Sequence, residues 1–356
     1  MIKKMETEKK IKCIIWDLDN TLWNGTLIED KTVQPFQHIV NCIRTLDERG
    51  ILHSIASRNN YDDAMECLKR FNLDEYFLYP QIYWGDKSKA VGEIIKKINI
   101  SADTVAFVDD QPFELDEVKM VHPEVLCIPA SDALKMLEDN RFIPQYITED
   151  SKMRRHMYMA DILRDESAAQ FMGTREEFLC TLNMEITISF AQDNDLERLV
   201  ELTERTSQLN TTGYTYSYKQ LSELCSSLDY RLLVVELRDK YGTSGKIGLA
   251  LIKFEPQGWI IELLIMSCRV LSRGIGTILI DFILTKARIK NVNVYAKFKR
   301  TPRNKMMYMS YAMAGFVLLE QNGDTMILSH SMSKIRSLPS YVTVIDKTGA
   351  LISRHE

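Results

Sequence analysis

Residues 11–27 read Ile11-Lys12-Cys13-Ile14-Ile15-Trp16-Asp17-Leu18-Asp19-Asn20-Thr21-Leu22-Trp23-Asn24-Gly25-Thr26-Leu27, and the fold turns on this stretch. The apolar run Cys13-Ile14-Ile15-Trp16 predicts a buried strand, and the turn-forming Asn20-Thr21 predicts its end. The strand therefore stops on two acids, Asp17 and Asp19. In an open parallel sheet ligands bind beyond the carboxyl ends of the strands, so paired carboxylates placed there suit a divalent cation and phosphoryl chemistry. Two positions apart, both side chains can reach one ion, and the Leu18 carbonyl between them adds a third oxygen.

Outward from that strand, polar side chains recur at the ends of apolar runs. Residues 35–49 carry Phe36, Ile39, Val40, Ile43 and Leu46 at helical spacing and stop at Gly50. A short strand over 51–56 then ends on Ser57-Arg58-Asn59-Asn60. A helix over 61–71 leads to Ile82-Tyr83-Trp84 and a loop carrying Lys87 and Lys89, before a helix over 90–98. The strand 104–108 ends in Asp109-Asp110-Gln111-Pro112. This alternation of strand and helix predicts a doubly wound parallel sheet.

The order Asp17 and Asp19, Ser57, Lys87, Asp109 and Asp110 resembles motifs I to IV of the haloacid dehalogenase (HAD) superfamily. The resemblance implies Asp17 as a nucleophile that forms an aspartyl-phosphate, with Asp19 protonating the leaving oxygen and then activating water. It implies Mg²⁺ held among Asp17, Asp19, Asp109 and Asp110 with the Leu18 carbonyl, Ser57 donating to phosphoryl oxygens, and Lys87 neutralising charge. Lys87 is preferred to Lys89 because it follows the Trp84 loop directly. Neither gap between these motifs has room for a cap domain, so the site should be open. The run 17–30, Ala56-Ser57-Arg58-Asn59-Asn60, Trp84 with Lys87-Ser88, and 107–114 resemble the FkbH-like branch more closely.

Residues 141–183 predict a helical linker, with Met153, Met157, Ala160, Ile162 and Leu163 available for one face. A strand over 184–189 and a helix over 195–209 follow, and residues 202–213 resemble the C-terminal half of FkbH-like proteins. Strands over 230–237, 246–254 and 259–268, joined by short turns, predict an antiparallel sheet. The last runs into Arg273-Gly274-Ile275-Gly276-Thr277 and an amphipathic helix to about 290. Small residues opening a helix leave N–H groups free for a pyrophosphate. This arrangement resembles the acetyl-CoA loop of GCN5-related N-acetyltransferases (GNAT), and implies binding of CoA or the phosphopantetheine arm of a carrier protein. Asn304, Tyr308, Tyr311 and Gly315-Phe316 fit the helix and strand expected next.

The fold class expected is therefore α/β, a capless HAD Rossmann-like parallel-sheet domain over 1–140, then the linker 141–183, an α+β GNAT-like domain over 184–331 and a tail over 332–356 with one short strand. Lys plus Arg number 45 against 49 for Asp plus Glu, a net charge of −4, which gives no global field for nucleic acid or an anionic membrane. Lys297, Lys299, Arg300, Arg303 and Lys305 form one basic cluster without stacking aromatics, suited to a solvated face, an acidic carrier protein or a CoA phosphate. The charged stretch 1–12 does not read as a secretory signal, and seven cysteines without a CxxC pair fit a reducing cytoplasm.

FkbH-like proteins take a glyceryl group from 1,3-bisphosphoglycerate, remove its other phosphate and load it on the thiol of an acyl carrier protein. The resemblance implies the same here. The alternative is a phosphatase of a phosphosugar or other small phosphate ester with a CoA-dependent acetyltransferase half.

Overall fold

The computed structural model describes residues 9–30, 32–349 and 351. The charged stretch as far as residue 8, and Lys31 in the loop after the first motif, lie outside the described residues. Two units divide the chain, 1–159 and 160–356.

In the first unit the apolar run becomes β1 (Cys13–Trp16), with every side chain buried. It sits in the middle of a parallel sheet, flanked by β2 (Leu52–Ser57) and, on its other side, by the later strand Val105–Asp109. A central parallel strand is covered on both faces, which is why the run is continuously apolar rather than alternating. Along the chain β3 is Gln81–Ile82, β4 is Val105–Asp109 and β5 is Leu126–Pro129, and the sheet order is β3-β2-β1-β4-β5. Helices α1 (Gln37–Glu48), α2 (Tyr61–Arg70), α3 (Lys87–Ile98) and α4 (Pro112–Val121) connect the strands.

Local chemistry sets the helix ends. Asn60 accepts from the Asp62 and Asp63 amides and starts α2. Gly50, at φ +73°, closes α1 where a Cβ would fall 2.4 Å from the Arg154 guanidinium. Helix α3 starts at Lys87, three residues earlier than the apolar spacing suggests, so Lys87 stands in a first helical turn rather than in a loop.

The stretch expected as a linker holds a one-turn helix (Glu149–Lys152), α5 (Arg154–Gln170) and α6 (Arg175–Thr181), and the division between units falls within α5. Its methionines do not form one apolar face: Met157 and Ala160 are buried, while Met153 and Leu163 are exposed. Arginines are buried instead, each with partners. Arg154 donates to the Gly50 carbonyl at 2.7 Å and Arg155 pairs with Asp47 at 3.1 Å.

The second unit is an α+β domain. In chain order it contains β6 (Met184–Phe190), α7 (Leu196–Arg205), α8 (Tyr218–Ser226), β7 (Tyr230–Asp239), β8 (Gly242–Glu255), β9 (Gly258–Met266), α9 (Ile275–Ile289), β10 (Val294–Lys299), α10 (Lys305–Met313), β11 (Phe316–Asn322), β12 (Thr325–His330) and β13 (Val342–Asp346). The sheet order is β11-β12-β10-β9-β8-β7-β6-β13. Strands β7, β8 and β9 pair antiparallel as expected. The tail strand β13 pairs parallel with β6 and forms one edge. Strand β10 runs through the basic cluster: Val294, Ala296 and Phe298 face inward and Tyr295, Lys297 and Lys299 alternate with them. No helix among the described residues is long and apolar enough to cross a membrane.

Candidate functional site

Adjacent strands β1 and β4 end side by side, with the Asp17 amide donating to the Val108 carbonyl at 2.9 Å. That pairing brings Asp17 and Asp109 together. Lys87, delivered by the first turn of α3, places Nζ 2.8 Å from Asp17 Oδ1 and 2.7 Å from Asp109 Oδ2. All three are buried. Asp109 Oδ1 accepts from the Gln111 amide at 2.9 Å. Asp110 follows, and one ligand oxygen each from Asp17, Asp109 and Asp110 lie within 4.8 Å of one another.

Three carboxylates lie together here, Lys87 pairs with only Asp17 and Asp109, and Asp110 Oδ1 is buried without a hydrogen-bond partner. An excess of buried negative charge and an orphaned oxygen fit a divalent cation with oxygen ligands. The titration directions agree. Burial pushes Asp17 up to about 6 despite the pull of Lys87. Burial also raises Asp109 and Asp110, the latter helped by the Asp17 charge. Burial opposes protonation of Lys87, but Asp17 and Asp109 outweigh it and its pKa is raised.

Asp19, also expected as a metal ligand, is not among the carboxylates whose oxygens lie within 4.8 Å of one another. Its Oδ1 accepts from Trp23 Nε1 at 2.7 Å and the Leu27 amide at 3.1 Å, and its Oδ2 from Asn59 Nδ2 at 3.1 Å. The turn at Asn20, with φ +54°, lets Trp23 come back onto Asp19. Asn59 Nδ2 also lies 3.3 Å from Ser57 Oγ, at the end of β2. Asn59 and Trp23 were therefore missed as positioning residues; Asn59 was visible only as a further polar residue after Ser57, and Trp23 only as an apolar residue after the turn. Lys89, by contrast, is exposed and pairs with Asp86.

In the second unit Gly274, Ile275, Gly276 and Thr277 open α9 as the sequence suggests, with Gly274 at φ +72°. Arg273 does not face a ligand there. Its guanidinium is buried, 3.2 Å from Asp239 and 3.3 Å from Asp161, in a network that Arg164 completes. Burial, then the neighbouring Arg164, push it down to about 10. Four mutually paired charged groups drawn from three stretches of the chain make this a structural cluster.

Strands β9 and β10 pair in parallel only from Trp259 to Ile261 and then diverge. The segment Leu209–Thr211 fills the opening. The Met266 amide donates to the Leu209 carbonyl at 2.9 Å, the Thr211 amide to Leu264 at 3.1 Å, and the Lys299 amide to Thr211 at 2.9 Å. Asn304 ties it down by donating to the Asn210 carbonyl at 3.0 Å. This is why α7 stops at Arg205, short of the expected Leu209. An extended thiol arm adding to the backbone of β9 would have to displace this segment. The basic cluster is also partly engaged: Lys297 pairs with Glu262 at 3.2 Å and Lys299 lies over the Tyr214 ring at 4.9 Å.

Residues 23–121 match the family model of haloacid dehalogenase-like hydrolases, a match that starts after Asp19 and takes in Ser57, Lys87, Asp109 and Asp110. The first unit is a HAD-like hydrolase domain with a Rossmann-like parallel sheet. Among solved structures, the N-terminal part of a Bacteroides fragilis protein, containing a phosphatase domain complexed with Mg, matches at 28% identity and TM-score 0.33. That match covers 36% of this chain and 40% of the other. The PaiA N-acetyltransferase of Thermoplasma acidophilum in complex with coenzyme A matches at 18% identity, TM-score 0.33, over 41% of this chain and 98% of the other. The ribosomal-protein-S18-alanine N-acetyltransferase of Escherichia coli matches at 14% identity, TM-score 0.33, over 42% and 95%. No curated protein matches the chain.

Proposed function

We propose that the chain is a Mg²⁺-dependent phosphohydrolase acting through Asp17, coupled to transfer of a glyceryl-type acyl group from 1,3-bisphosphoglycerate to the thiol of an acyl carrier protein. The observation that carries the phosphohydrolase part is the Lys87 ammonium shared by Asp17 and Asp109, with Asp110 beside them. Asp17, Asp109 and Asp110 would hold Mg²⁺, which when bound offsets the charge of carboxylate and phosphate as they approach. An Asp17 oxygen attacks phosphorus and the bond to the ester oxygen breaks. Asp19, held by Trp23, Leu27 and Asn59, gives that oxygen its proton. Asp19 then takes a proton from water as the water oxygen attacks phosphorus, and Asp17 leaves inorganic phosphate behind. Ser57 Oγ, which accepts from Asn59 Nδ2 at 3.3 Å, would donate its own proton to a phosphoryl oxygen.

The acyl part rests on the FkbH-like resemblance and on the α+β second unit. The carrier sulfur would attack the acyl-phosphate carbonyl, the carbon–oxygen bond to phosphate would break, and the thiol proton would pass to solvent. Among the described residues a two-residue ladder and α1 lie between β1 and β2, and α2 with short elements lies between β2 and α3, so neither gap holds an inserted domain. The lack of an inserted cap domain in these gaps supports a substrate presented on a macromolecule.

The experiment supplies Mg²⁺, 1,3-bisphosphoglycerate made in situ and a panel of holo carrier proteins, and follows phosphate release and carrier mass. A glyceryl mass on one carrier is the expected result. Phosphate release with every carrier unmodified would leave a small-ester phosphatase and overturn the transfer.

A further inference from the structure

A cavity of about 360 Å³ opens beside Asp110 in the first unit, at the turn after β1, the start of α1 and the end of β5. Asp110 therefore belongs both to the carboxylate cluster and to this cavity, so a phosphoryl group held at the cluster has the rest of its molecule here. Thr21 lines the cavity, is only 1% exposed, and leaves Oγ1 without a hydrogen-bond partner. Asn20, His38 and Ser131 add exposed polar groups to the lining, while Phe36 and Ile39 supply an apolar side.

Among the described residues the lining contains no lysine or arginine, and Asp110 is its carboxylate. A second phosphate or a carboxylate on the substrate would meet like charge and no counter-charge. We propose that this cavity holds the leaving group of the phosphohydrolase reaction and selects small, uncharged, hydroxyl-bearing fragments. At ~30 Å³ per water-sized group the volume suits roughly ten such groups. The inference rests on the phosphohydrolase reading above. It also orders the sequence of reactions: an acyl transfer that removes the other phosphate must precede this hydrolysis, because the bisphosphate itself suits the cavity poorly.

The test measures kcat/KM for phosphate release by the full chain with Mg²⁺ on glycerol 3-phosphate, 3-phosphoglycerate and 2,3-bisphosphoglycerate. Glycerol 3-phosphate should be preferred to the bisphosphate by about 10–100-fold. Ser131→Lys, at an exposed position, should shrink that ratio about tenfold or more by adding a cation. Calorimetric binding of the same three compounds to the Asp17→Asn protein with Mg²⁺ reads the cavity without turnover. Preferential binding of glycerol 3-phosphate, even with no phosphate released by the unaltered chain, would retain the cavity's selectivity and discard the phosphohydrolase. Equal or tighter binding of the bisphosphate, or an unchanged ratio in Ser131→Lys, would overturn the inference.

Discussion

Asp17→Asn should abolish phosphate release, by about 10⁴-fold or more, and leave the fold standing. The amide keeps the size and one acceptor of the carboxylate but cannot attack phosphorus. Stability should not suffer. Burial raises the Asp17 pKa to about 6, above its ordinary value of 3.8, so the folded protein binds its proton more tightly than the unfolded chain does. The stability linked to that proton is fully present below the unfolded value and is lost as pH rises through about 6. At pH 8 without metal the ionised carboxylate is therefore a cost, and the asparagine removes it. A melting temperature at or above that of the unaltered protein, together with lost turnover, is the expected pair of results. Substantial residual turnover would place the nucleophile elsewhere.

Lys87→Met should have the second largest effect, and it separates structure from chemistry. The ammonium lies within 2.8 Å of both Asp17 and Asp109, and all three groups are buried. Without it two neighbouring carboxylates lose their common partner, which in a buried site costs about 3–5 kcal/mol. Phosphate release should fall about 10³-fold, because the charge that stabilises the transferring group is gone. Urea unfolding with and without Mg²⁺ reads the structural part: the variant should be less stable without metal and gain more from Mg²⁺ than the unaltered chain. Equal stability of the two proteins without metal would show that Lys87 does not hold the carboxylates together.

Much of the first unit was legible because its signals are local. A continuous apolar run, Cys13 to Trp16, marks a central parallel strand, and the acids after it mark the strand's end. Asp109 and Asp110 repeat the pattern at β4, so sheet adjacency alone brings them to Asp17. Asp19 was legible only in part, because its spacing from Asp17 suits a shared ion. Its hydrogen-bond partners, Trp23, Leu27 and Asn59, depend on a positive-φ turn at Asn20 and on the neighbouring strand β2. Arg273 misled for a similar reason. Beside two glycines it resembles an anion contact, but Asp161 and Asp239, remote in sequence, turn it inward. Strand β10 was hidden because Lys297 and Lys299 alternate with its buried residues and draw attention as charge. The Leu209–Thr211 segment was legible only as a turn, since its partners on β9 and β10 lie more than fifty residues away in the chain.

The most direct test of the central claim is acid-quenched peptide mass spectrometry of the Asp19→Asn protein after brief exposure to Mg²⁺ and a substrate that the unaltered chain turns over. Asp19→Asn removes the group proposed to activate water while leaving the carboxylate cluster intact; with an aryl phosphate as that substrate, whose leaving oxygen needs no proton from Asp19, the covalent species still forms and should accumulate. One phosphoryl group on the peptide carrying Asp17, absent when Asp17 is also changed to Asn, is the expected result. Turnover by the unaltered chain with no phosphoryl group trapped on Asp17, or one trapped on another residue, would contradict the account.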